Sequence, residues 1–417
     1  MMIMNGVLMI AYHYPPAHVS SGVQRTLKFS RYLLNHGWHP AVLTVWNAAH
    51  PTVSPSQLGE IPDEITVKRS WCLDSARHLS IQGRHFRALG IPDRWATWIL
   101  PGVLNGFHLI KSRRAKVIWS TYPIASAHMI GFALHKLTGL PWVADMRDPM
   151  TDVGYPASQI QRQTFLWVEK HISKSASRVI FTTEGARKDM CERYPGLPES
   201  RTTVIPNGYD ELNFAEVEAQ LPLGDREPRN RLTLLHSGVI YPHERDPSAL
   251  FHALAKMQAE GHVSQGSFEL ILRGTAHDSH VSGLANEYGI DDLVSIRPNI
   301  PYCDALREML AVDALVVMQA ETCNAQIPAK VYEYLRAQKP VVGLCSHHSD
   351  TGKLLHDNAV PYVSPLDDAD AIYSNLLNLI SHLRANQAYV VPLDSARKYS
   401  REALTKHLAD VLGEVSS

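Results

Sequence analysis

The chain has 417 residues, of which 45% are hydrophobic, and this is enough for about two or three packed domains. Its 40 Lys and Arg residues nearly balance its 41 Asp and Glu residues, which excludes a strongly basic protein of the kind that binds nucleic acid. Without a membrane-length apolar run or a CxxC pair among its five scattered cysteines, the chain is expected to be soluble and cytoplasmic.

Short, β-rich apolar runs alternate with longer helical patterns along the chain, which is typical of βαβ units and a parallel sheet. The strands predicted in the first half lie at 7–11, 41–45, 117–119, 142–144, 178–181 and 203–205, and those in the second half lie at 232–236, 269–272, 294–296, 314–318 and 341–344. The pattern predicts an α/β protein with two doubly wound domains that face each other across a cleft.

The polar, acidic stretch between the two series lacks sustained periodicity and is predicted to be a linker. The predicted division is an N-terminal domain at 1–210, a linker at 211–230, a C-terminal domain at 231–395 and a final helical segment at 396–417. That last segment carries Leu404, Leu408 and Val411 on one helical stripe. An apolar stripe of this kind needs a surface to cover.

Ligands of open parallel sheets bind beyond the carboxyl ends of the strands, so the loops that follow strands matter most. The first such loop reaches Ser20, Ser21 and Gly22 at a predicted helix N-terminus, where free N–H groups and the helix dipole favour an anion such as a diphosphate. The same residues also fit a plain N-cap turn. No GxGxxG follows the strand, which disfavours a nicotinamide dinucleotide enzyme.

In the second half, Ser237 and Gly238 end a predicted strand, and Arg245 precedes a helix. A guanidinium in this position could clamp phosphate oxygens in a bidentate fashion. Alternatively, Arg245 could pair with Glu244 or Asp246 on the surface.

The segment ETCNAQIPAKVYEYLRAQKPVVGL predicts a helix that begins near Pro328 and ends before Pro340. Lys330 and Glu333 lie three residues apart and share a face of this helix. As a simple i, i+3 ion pair they would stabilise the helix by only about 0.2 to 0.5 kcal/mol. The functional alternative gives the ammonium to a diphosphate and the carboxylate to vicinal hydroxyls.

Five segments together resemble the retaining GT-B glycosyltransferases of the family 4 type (glycosyltransferase group 1), particularly bacterial polysaccharide enzymes. They are YHYPPAHVSSGVQRTLKFSRYLLNHGWHPAVLTV, GLPWVADMRDPMTD, VIPNGYD, SGVIYPHERDP and IPAKVYEYLRAQKPVV, and the resemblance spans nearly the whole chain. It implies a GT-B fold of two Rossmann-like domains. The first would bind a saccharide or lipid-linked acceptor, the second would bind a nucleotide diphosphate sugar, and the helix at 396–417 would pack back on the first.

The resemblance also implies roles for particular residues. Glu333 would contact the ribose hydroxyls of the donor, while Arg245 and Lys330 would neutralise its diphosphate and act as catalytic groups. Gly22 would approach the diphosphate from the first domain. The other donor-binding residues implied are Ser237, Gly238, Asn324, Gln326 and Ile327.

One departure from the family's pattern concerns the donor sugar. Ala325 stands where many relatives carry the first Glu of an ExxxxxxxE pair that ends, in this chain, at Glu333. Contacts with the sugar are therefore expected from Asn324, from Gln326 or from backbone amides of the loop.

A second departure lies in WVADMRDP, where Arg147 occupies the place of a His found in many relatives. Arginine cannot act as a base, because it stays protonated at any working pH. We expect Arg147 to hold an anionic acceptor or a phosphate, with Asp145 or Asp148 as polar partners at the catalytic and acceptor sites. An internal network of Asp and Arg that fixes the loop is the alternative.

The expected chemistry follows from the charge that develops in the reaction. Breaking the bond between sugar and phosphate creates an oxocarbenium-like centre and a departing diphosphate, so cations near the phosphates stabilise the transition state. The resemblance implies that the departing phosphate takes the acceptor's proton on the same face, which retains the anomeric configuration. We expect neither a metal nor a cofactor besides the donor substrate.

The segment 84–116 holds seven basic residues against a single acid, Asp93, with apolar side chains interleaved. This mixture suits a peripheral surface that faces anionic lipid, although a solvated face over a packed helix would look the same.

Together these features predict a cytoplasmic hexosyltransferase of polysaccharide or glycoconjugate biosynthesis, without a nucleic-acid partner. Two alternatives stay open: a nucleotide-sugar epimerase of the same architecture, and a catalytically impaired nucleotide-sugar-binding partner, which the missing Glu at Ala325 suggests.

Overall fold

The computed structural model describes residues 5–17, 20–81, 84–85, 90–152, 155–221 and 231–417. The chain divides into two compact units, the first made of Met1–Asn207 with Arg401–Ser417 and the second of Gly208–Ser400. No helix among the described residues is both long enough and apolar enough to cross a membrane.

Parallel strands form the sheet of the first unit. They are β1 Asn5–Ile10, β2 Trp38–Val45, β3 Thr66–Ser70, β6 Ala115–Thr121, β7 Trp142–Arg147, β8 Arg178–Phe181 and β9 Thr202–Val204. Within the described residues this sheet has seven strands in the order β3-β2-β1-β6-β7-β8-β9, and a short antiparallel pair, β4 Ser80–Ile81 with β5 Arg84–His85, lies apart from it.

Helices cover both faces of this sheet. They are α1 Ser21–Leu33, α2 Ser75–His78, α3 Ile99–Arg113, α4 Ala125–Thr138, α5 Gln159–Ser175, α6 Glu184–Arg193 and α15 Arg401–Ser416. Because side chains alternate along a strand, Leu8 of β1 joins the core beneath α3, α4 and α5, while Val7 joins the core beneath α1 and α15. Burial on both faces explains why the central strands are continuous apolar runs.

The final helix, α15, belongs to the first unit, although the chain reaches it only after completing the second. Leu404, Leu408 and Val411 are buried in one cluster with Leu27 of α1, and α15 packs along α1. The apolar stripe of the last segment is therefore covered by the first unit, and this contribution begins at Arg401 instead of at residue 396.

The second unit has the same plan. Its strands are β10 Leu232–Ser237, β11 Phe268–Arg273, β12 Val294–Arg297, β13 Ala314–Met318, β14 Val341–Leu344 and β15 Tyr362–Ser364. In the described part of this unit they form a parallel sheet in the order β12-β11-β10-β13-β14-β15. Its helices are α7 Glu211–Ala219, α8 Ser248–Ala259, α9 Asp278–Glu287, α10 Tyr302–Ala311, α11 Lys330–Arg336, α12 Asp350–Asp357, α13 Ala369–Arg384 and α14 Leu393–Arg397. The two parallel sheets confirm the predicted doubly wound domains.

The stretch predicted as a linker begins with a helix, α7, which belongs to the second unit. Asp210 caps it by accepting hydrogen bonds from the next backbone amides, and Phe214 is fully buried. Its acids Glu211 and Glu218 both bind the buried guanidinium of Arg336, which lies far away in the sequence. Two of the acidic residues that made this stretch look like a linker therefore pair with a buried arginine. Residues 222–230 of the predicted linker lie outside the described residues.

A buried ion pair joins α1 to the centre of the first sheet. Both carboxylate oxygens of Asp145, in β7, accept from Arg25 of α1, at 2.8 Å from Nε and 3.0 Å from Nη2. Thr121 donates to the same carboxylate at 3.2 Å. Arg25 also donates to the carbonyl oxygens of Ile205 and Pro206, after β9. The prediction that Asp145 contacts an acceptor is wrong, because its side chain is completely buried and its oxygens are already bound.

We predict that Asp145→Asn destabilises the first unit strongly. The substitution would leave the buried guanidinium of Arg25 without a counter-charge, and breaking a buried pair in this way costs about 3 to 5 kcal/mol. Urea unfolding of the variant and of the wild type measures the difference. The control is Asp63→Asn at an exposed position, which should stay within about 0.5 kcal/mol of the wild type. Equal stability of the two variants would contradict this account.

Candidate functional site

The carboxyl end of β10 places Ser237 and Gly238 at one edge of the second sheet. The Ser237 amide donates to the Tyr334 hydroxyl at 2.9 Å, and the Gly238 amide donates to the carbonyl of Arg273 at 2.9 Å. Gly238 has a φ of +155°, which residues with a side chain rarely adopt. These bonds fix the path of the loop that leads to Arg245.

Arg245 is half-buried in this loop. One of its terminal nitrogens donates to the Val239 carbonyl at 2.6 Å, and its guanidinium lies 5.7 Å from the centre of the Tyr241 ring. In the part of the chain that the structure describes, Arg245 makes no ion pair with Glu244 or Asp246, so the surface pairing that the sequence left open is not observed. Its positive charge stays available to a ligand.

His236 lies directly beneath this loop and was not predicted as a site residue. Its Nδ1 lies 2.9 Å from the Val316 carbonyl oxygen, which identifies Nδ1 as the protonated nitrogen, and its buried Nε2 has no partner. Burial, helped by the nearby charge of Arg245 and opposed by the hydrogen bond to Val316, lowers the pKa of His236 to about 4. His236 is therefore neutral, and the positive charge at this edge comes from Arg245.

Lys330 and Glu333 form an ion pair at the start of α11, with 2.7 Å between Nζ and Oε2. The second carboxylate oxygen of Glu333 accepts from the Tyr302 hydroxyl at 3.1 Å, and the Lys330 ammonium lies 5.5 Å from the centre of the Tyr302 ring. Glu333 is only 8% exposed, so this is not the solvated surface pair that the sequence left as the alternative. A buried carboxylate is held between an ammonium and a phenol.

Tyr334 connects the two parts of this edge. Burial raises the pKa of its hydroxyl; the negative charge of Glu333 raises it and the positive charge of Arg245 lowers it. Both charges are thus close enough to act on a group that also binds the Ser237 amide. Tyr334, which the sequence analysis did not identify, thus contacts Ser237 and lies within the electrostatic influence of Arg245 and Glu333.

The loop before α11 is held by Gln319, another residue that the sequence analysis missed. Its amide nitrogen donates to the carbonyl oxygens of Cys323 at 2.7 Å and Gln326 at 2.9 Å. Within this loop the Gln326 side chain is exposed, and Ile327 packs in part against the core of the second unit. Asn324 has a buried side-chain oxygen without a partner. The backbone of the loop is thus fixed while its polar side chains stay available.

In the first unit, Arg147 lies at the carboxyl end of β7, next to the first turn of α1. Its Nη2 donates to the Ser21 hydroxyl at 3.1 Å and its Nη1 to the Tyr122 carbonyl at 3.4 Å. A Cβ added to Gly22 would lie 2.9 Å from Nη1, so a larger residue there would displace the guanidinium from its present position. Asp148 follows, half-buried, with one carboxylate oxygen 3.4 Å from the Thr182 hydroxyl oxygen. The structure therefore brings Arg147 and Gly22 together, as well as Arg147 and Asp148, within one unit.

No group of three or more His, Cys, Asp or Glu side chains among the described residues is arranged to hold a metal ion.

Comparisons with known proteins agree with this architecture. The family model for a glycosyl transferase 4-like domain matches residues 21–208. A search of curated protein sequences finds no significant match.

Solved structures resemble the chain over almost its whole length. Sucrose-phosphate synthase from Thermosynechococcus elongatus is 17% identical, with a TM-score of 0.67 and coverage of 99% of both chains. Anabaena HepE in complex with UDP and glucose is 15% identical, with a TM-score of 0.64 over 98% of this chain and 100% of that chain. WaaG, a glycosyltransferase involved in lipopolysaccharide biosynthesis, is 16% identical, with a TM-score of 0.60 over 97% of this chain and 99% of that chain.

At these identities the structural likeness shows the fold, and the family match adds the glycosyltransferase character of the first unit. The chain therefore has the GT-B fold, and its residues 21–208 match the model of a glycosyl transferase 4-like domain.

Proposed function

We propose that the protein transfers a hexosyl residue from a nucleotide diphosphate sugar to a saccharide or lipid-linked acceptor, and that the second unit binds the donor. One observation carries the proposal. At the carboxyl edge of the second sheet, the loop after β10 carries Arg245, a guanidinium that lacks a carboxylate partner, and the start of α11 carries Lys330 paired with the buried carboxylate of Glu333. The charges of Arg245 and Glu333 both act on Tyr334, which binds the Ser237 amide.

These groups match the chemistry of a nucleotide diphosphate sugar. Arg245 and Lys330 offer positive charge to a diphosphate, and Glu333 offers carboxylate oxygens to vicinal ribose hydroxyls. Because both oxygens of Glu333 are bound to Lys330 and Tyr302 here, donor binding would exchange at least one of these contacts for a ligand hydroxyl. The HepE structures that contain UDP or UDP-glucose support a nucleotide-sugar donor by analogy of fold.

Catalysis would rest on charge stabilisation. As the bond between sugar and phosphate breaks, negative charge grows on the departing diphosphate, and cations already fixed beside it lower the barrier. His236 is neutral but its free Nε2 is buried, and Arg147 stays protonated, so neither is placed to act as a base. We propose that the acceptor attacks on the same face of the sugar as the departing phosphate, which takes the acceptor's proton, so that the anomeric configuration is retained.

The match of a glycosyl transferase domain to the first unit favours transfer over epimerisation. The two alternatives give different products. An epimerase would release free nucleotide and an altered sugar without any acceptor, and an impaired binding partner would bind the donor without turnover.

The donor site predicts separable defects for Glu333→Ala and Lys330→Ala. Loss of Glu333 removes a charged acceptor for the ribose hydroxyls and should weaken binding of donor and free nucleotide by about 1.5 to 3 kcal/mol. Loss of Lys330 should lower kcat more than donor affinity, because its contact strengthens as charge develops on the diphosphate. Nucleotide titration and steady-state kinetics measure the two effects.

Matched controls come from ion pairs elsewhere in the second unit. Asp394→Ala breaks an exposed pair with Arg397, and Lys256→Ala breaks an exposed pair with Asp370. Both variants should keep normal donor affinity and turnover. If the Glu333 and Lys330 variants, shown to be folded by circular dichroism, behave like these controls, the donor site lies elsewhere.

We also propose that the reaction needs no metal, since Arg245 and Lys330 supply the positive charge that a cation would otherwise bring. Activity in EDTA should therefore equal activity in added magnesium. A complete loss in EDTA that magnesium or manganese restores would contradict the proposal.

An outer face of the first unit fits contact with an anionic membrane. Leu100, Leu104 and Phe107 lie on one side of α3 and are 69%, 65% and 40% exposed. The same helix ends in a basic cluster, Lys111, Arg113, Arg114 and Lys116. Residues 84–89 of the surface predicted from sequence lie outside the residues whose side chains the structure describes.

The neighbouring helices extend this face. α4 packs against α3 through Gly102 and Gly106, where an added Cβ would lie 2.5 Å from Ile130 and 2.6 Å from Leu134. Neither α3 nor α4 contains an acidic residue, and the one acid of α5, Glu169, is buried against Arg193. We propose that this apolar and basic face lies on anionic lipid, where each basic residue contributes about 1 kcal/mol.

Vesicle flotation at low salt tests this membrane contact. The protein should float with anionic vesicles and stay behind with neutral ones, and the double variant Leu100→Asp/Leu104→Asp should lose binding. The control Leu212→Asp changes an exposed leucine of α7 in the second unit and should float like the wild type. Equal recovery with both kinds of vesicle would remove the proposal.

A further inference from the structure

The dipole of α1 favours an anion beside its first turn, but the charged side chain found there is the cation of Arg147. The helix is 13 residues long and has no acid in its first turn, and Ser20 caps only the amide of Val23. No group of the described residues accepts a hydrogen bond from the amides of Ser21 and Gly22. The guanidinium of Arg147 nevertheless lies against these residues and donates to the Ser21 hydroxyl at 3.1 Å. Two positive potentials therefore meet at this point.

The charge of Arg147 has no counter-ion in the described part of the chain. Arg147 is 7% exposed, makes no ion pair, and its Nε has no hydrogen-bond acceptor. The carboxylate of Asp145 is bound to Arg25, and Asp148 acts on Arg147 only from beyond ion-pair distance. His13, which also lies close to Gly22, adds no negative charge: burial, with the charge of Arg147, lowers its pKa to about 3. A buried and unpaired charge is costly, which points to an anionic ligand.

The backbone holds Arg147 in this position. Its φ is +59°, in the left-handed region that a residue with a side chain rarely adopts. Thr182 secures the Arg147 carbonyl with two donors, its amide at 3.1 Å and its hydroxyl at 2.8 Å. Strained residues persist only where their surroundings fix them, and they cluster at functional sites. The two bonds from Thr182 therefore fix the point at which the Arg147 side chain leaves the sheet.

The Nε and Nη2 edge of the Arg147 guanidinium, of which only Nη2 has an acceptor, has the shape of an oxyanion site. Arg25 uses its Nε and Nη2 edge to bind both oxygens of Asp145, and the same edge of Arg147 has an unused Nε. Planar, bidentate contact of this kind suits carboxylates and phosphates. Ser21 is exposed, so the site has a route from solvent.

We propose that Arg147, Ser21 and the first amides of α1 form an oxyanion subsite that takes the phosphate or carboxylate group of an anionic acceptor. The acceptor assignment rests on the proposed transferase function, whereas the oxyanion subsite itself does not. The donor's diphosphate is the other source of the same chemistry, and the experiment below separates the two.

Calorimetric titration of the full chain with inorganic phosphate tests the subsite. The variants are Arg147→Gln, Arg245→Gln and the control Arg31→Gln, which removes the same charge from the last turn of α1. We expect one phosphate site to be weakened roughly tenfold or more by Arg147→Gln and another by Arg245→Gln, with Arg31→Gln unchanged. Wild-type phosphate binding in folded Arg147→Gln overturns the subsite. If Arg245→Gln has no effect on phosphate binding while Arg147→Gln weakens it, the result counts against the donor site and does not affect the proposed subsite.

A second titration identifies the source of the anion. The protein is first saturated with whichever of UDP, GDP, dTDP or ADP binds most tightly. Phosphate binding that depends on Arg147 should then persist with an unchanged dissociation constant. Its displacement by the nucleotide would assign the subsite to the donor's diphosphate and overturn the acceptor assignment. If none of the four nucleotides binds, the proposed donor function fails, and the acceptor assignment fails with it.

Ser21→Asp keeps the subsite testable if Arg147 variants do not fold. The new carboxylate would stand beside Nη2 as an internal counter-ion, so this variant should melt about 2 to 4 °C higher and lose the phosphate site that depends on Arg147. Gln159→Glu is the matched control, because it adds one negative charge at the first position of α5, a helix capped by Ser158 as α1 is by Ser20. Equal melting shifts in the two variants, with phosphate binding retained in Ser21→Asp, would overturn the subsite.

Discussion

Two arginines and one fully buried carboxylate at the carboxyl end of β7 determine how the first unit is organised. Asp145 can neutralise only one of them, and its bidentate contact with Arg25 joins α1 to the sheet. Arg147 is therefore left with its charge unpaired beside the first turn of the same helix. The pairing of Arg25 with Asp145 thus stabilises this edge and also leaves Arg147 as a positive group next to it. A guanidinium already bound to Asp145 cannot serve a ligand.

In the second unit, the charge of a buried carboxylate is balanced in a different way. Its carboxylate, Glu333, is buried between Lys330 and Tyr302, which satisfies its charge while no ligand is present. Such contacts are exchangeable, since an ammonium on a flexible stem and a hydroxyl can both turn towards a ligand. Arg245, in contrast, is tied to the Val239 carbonyl and stays without a carboxylate. The carboxyl edge of the second sheet, where we propose that the donor binds, therefore combines a fixed cation with an adaptable ion pair.

Much of this organisation was predictable from the sequence, and the failures have physical causes. The central strands were predicted because burial on both faces makes them continuous apolar runs, whereas β3 at the sheet edge, with the sequence TVKRS, gives no such signal. Lys330 and Glu333 were found because they share a short motif. Tyr302 and Tyr334 were missed as site residues because only the fold brings their hydroxyls to Glu333 and Ser237. The helix in the predicted linker was missed because its acids face Arg336.

The loop at Ala325 is held by a residue outside it. The Gln319 amide donates to the carbonyls of Cys323 and Gln326, which helps to fix the path of the loop. Asn324 then supplies a buried amide oxygen that has no partner. A neutral amide can both donate to and accept from sugar hydroxyls, while a carboxylate only accepts. We therefore infer that this loop recognises the donor sugar through uncharged hydrogen bonds, which leaves the charge of the second unit to act on the diphosphate.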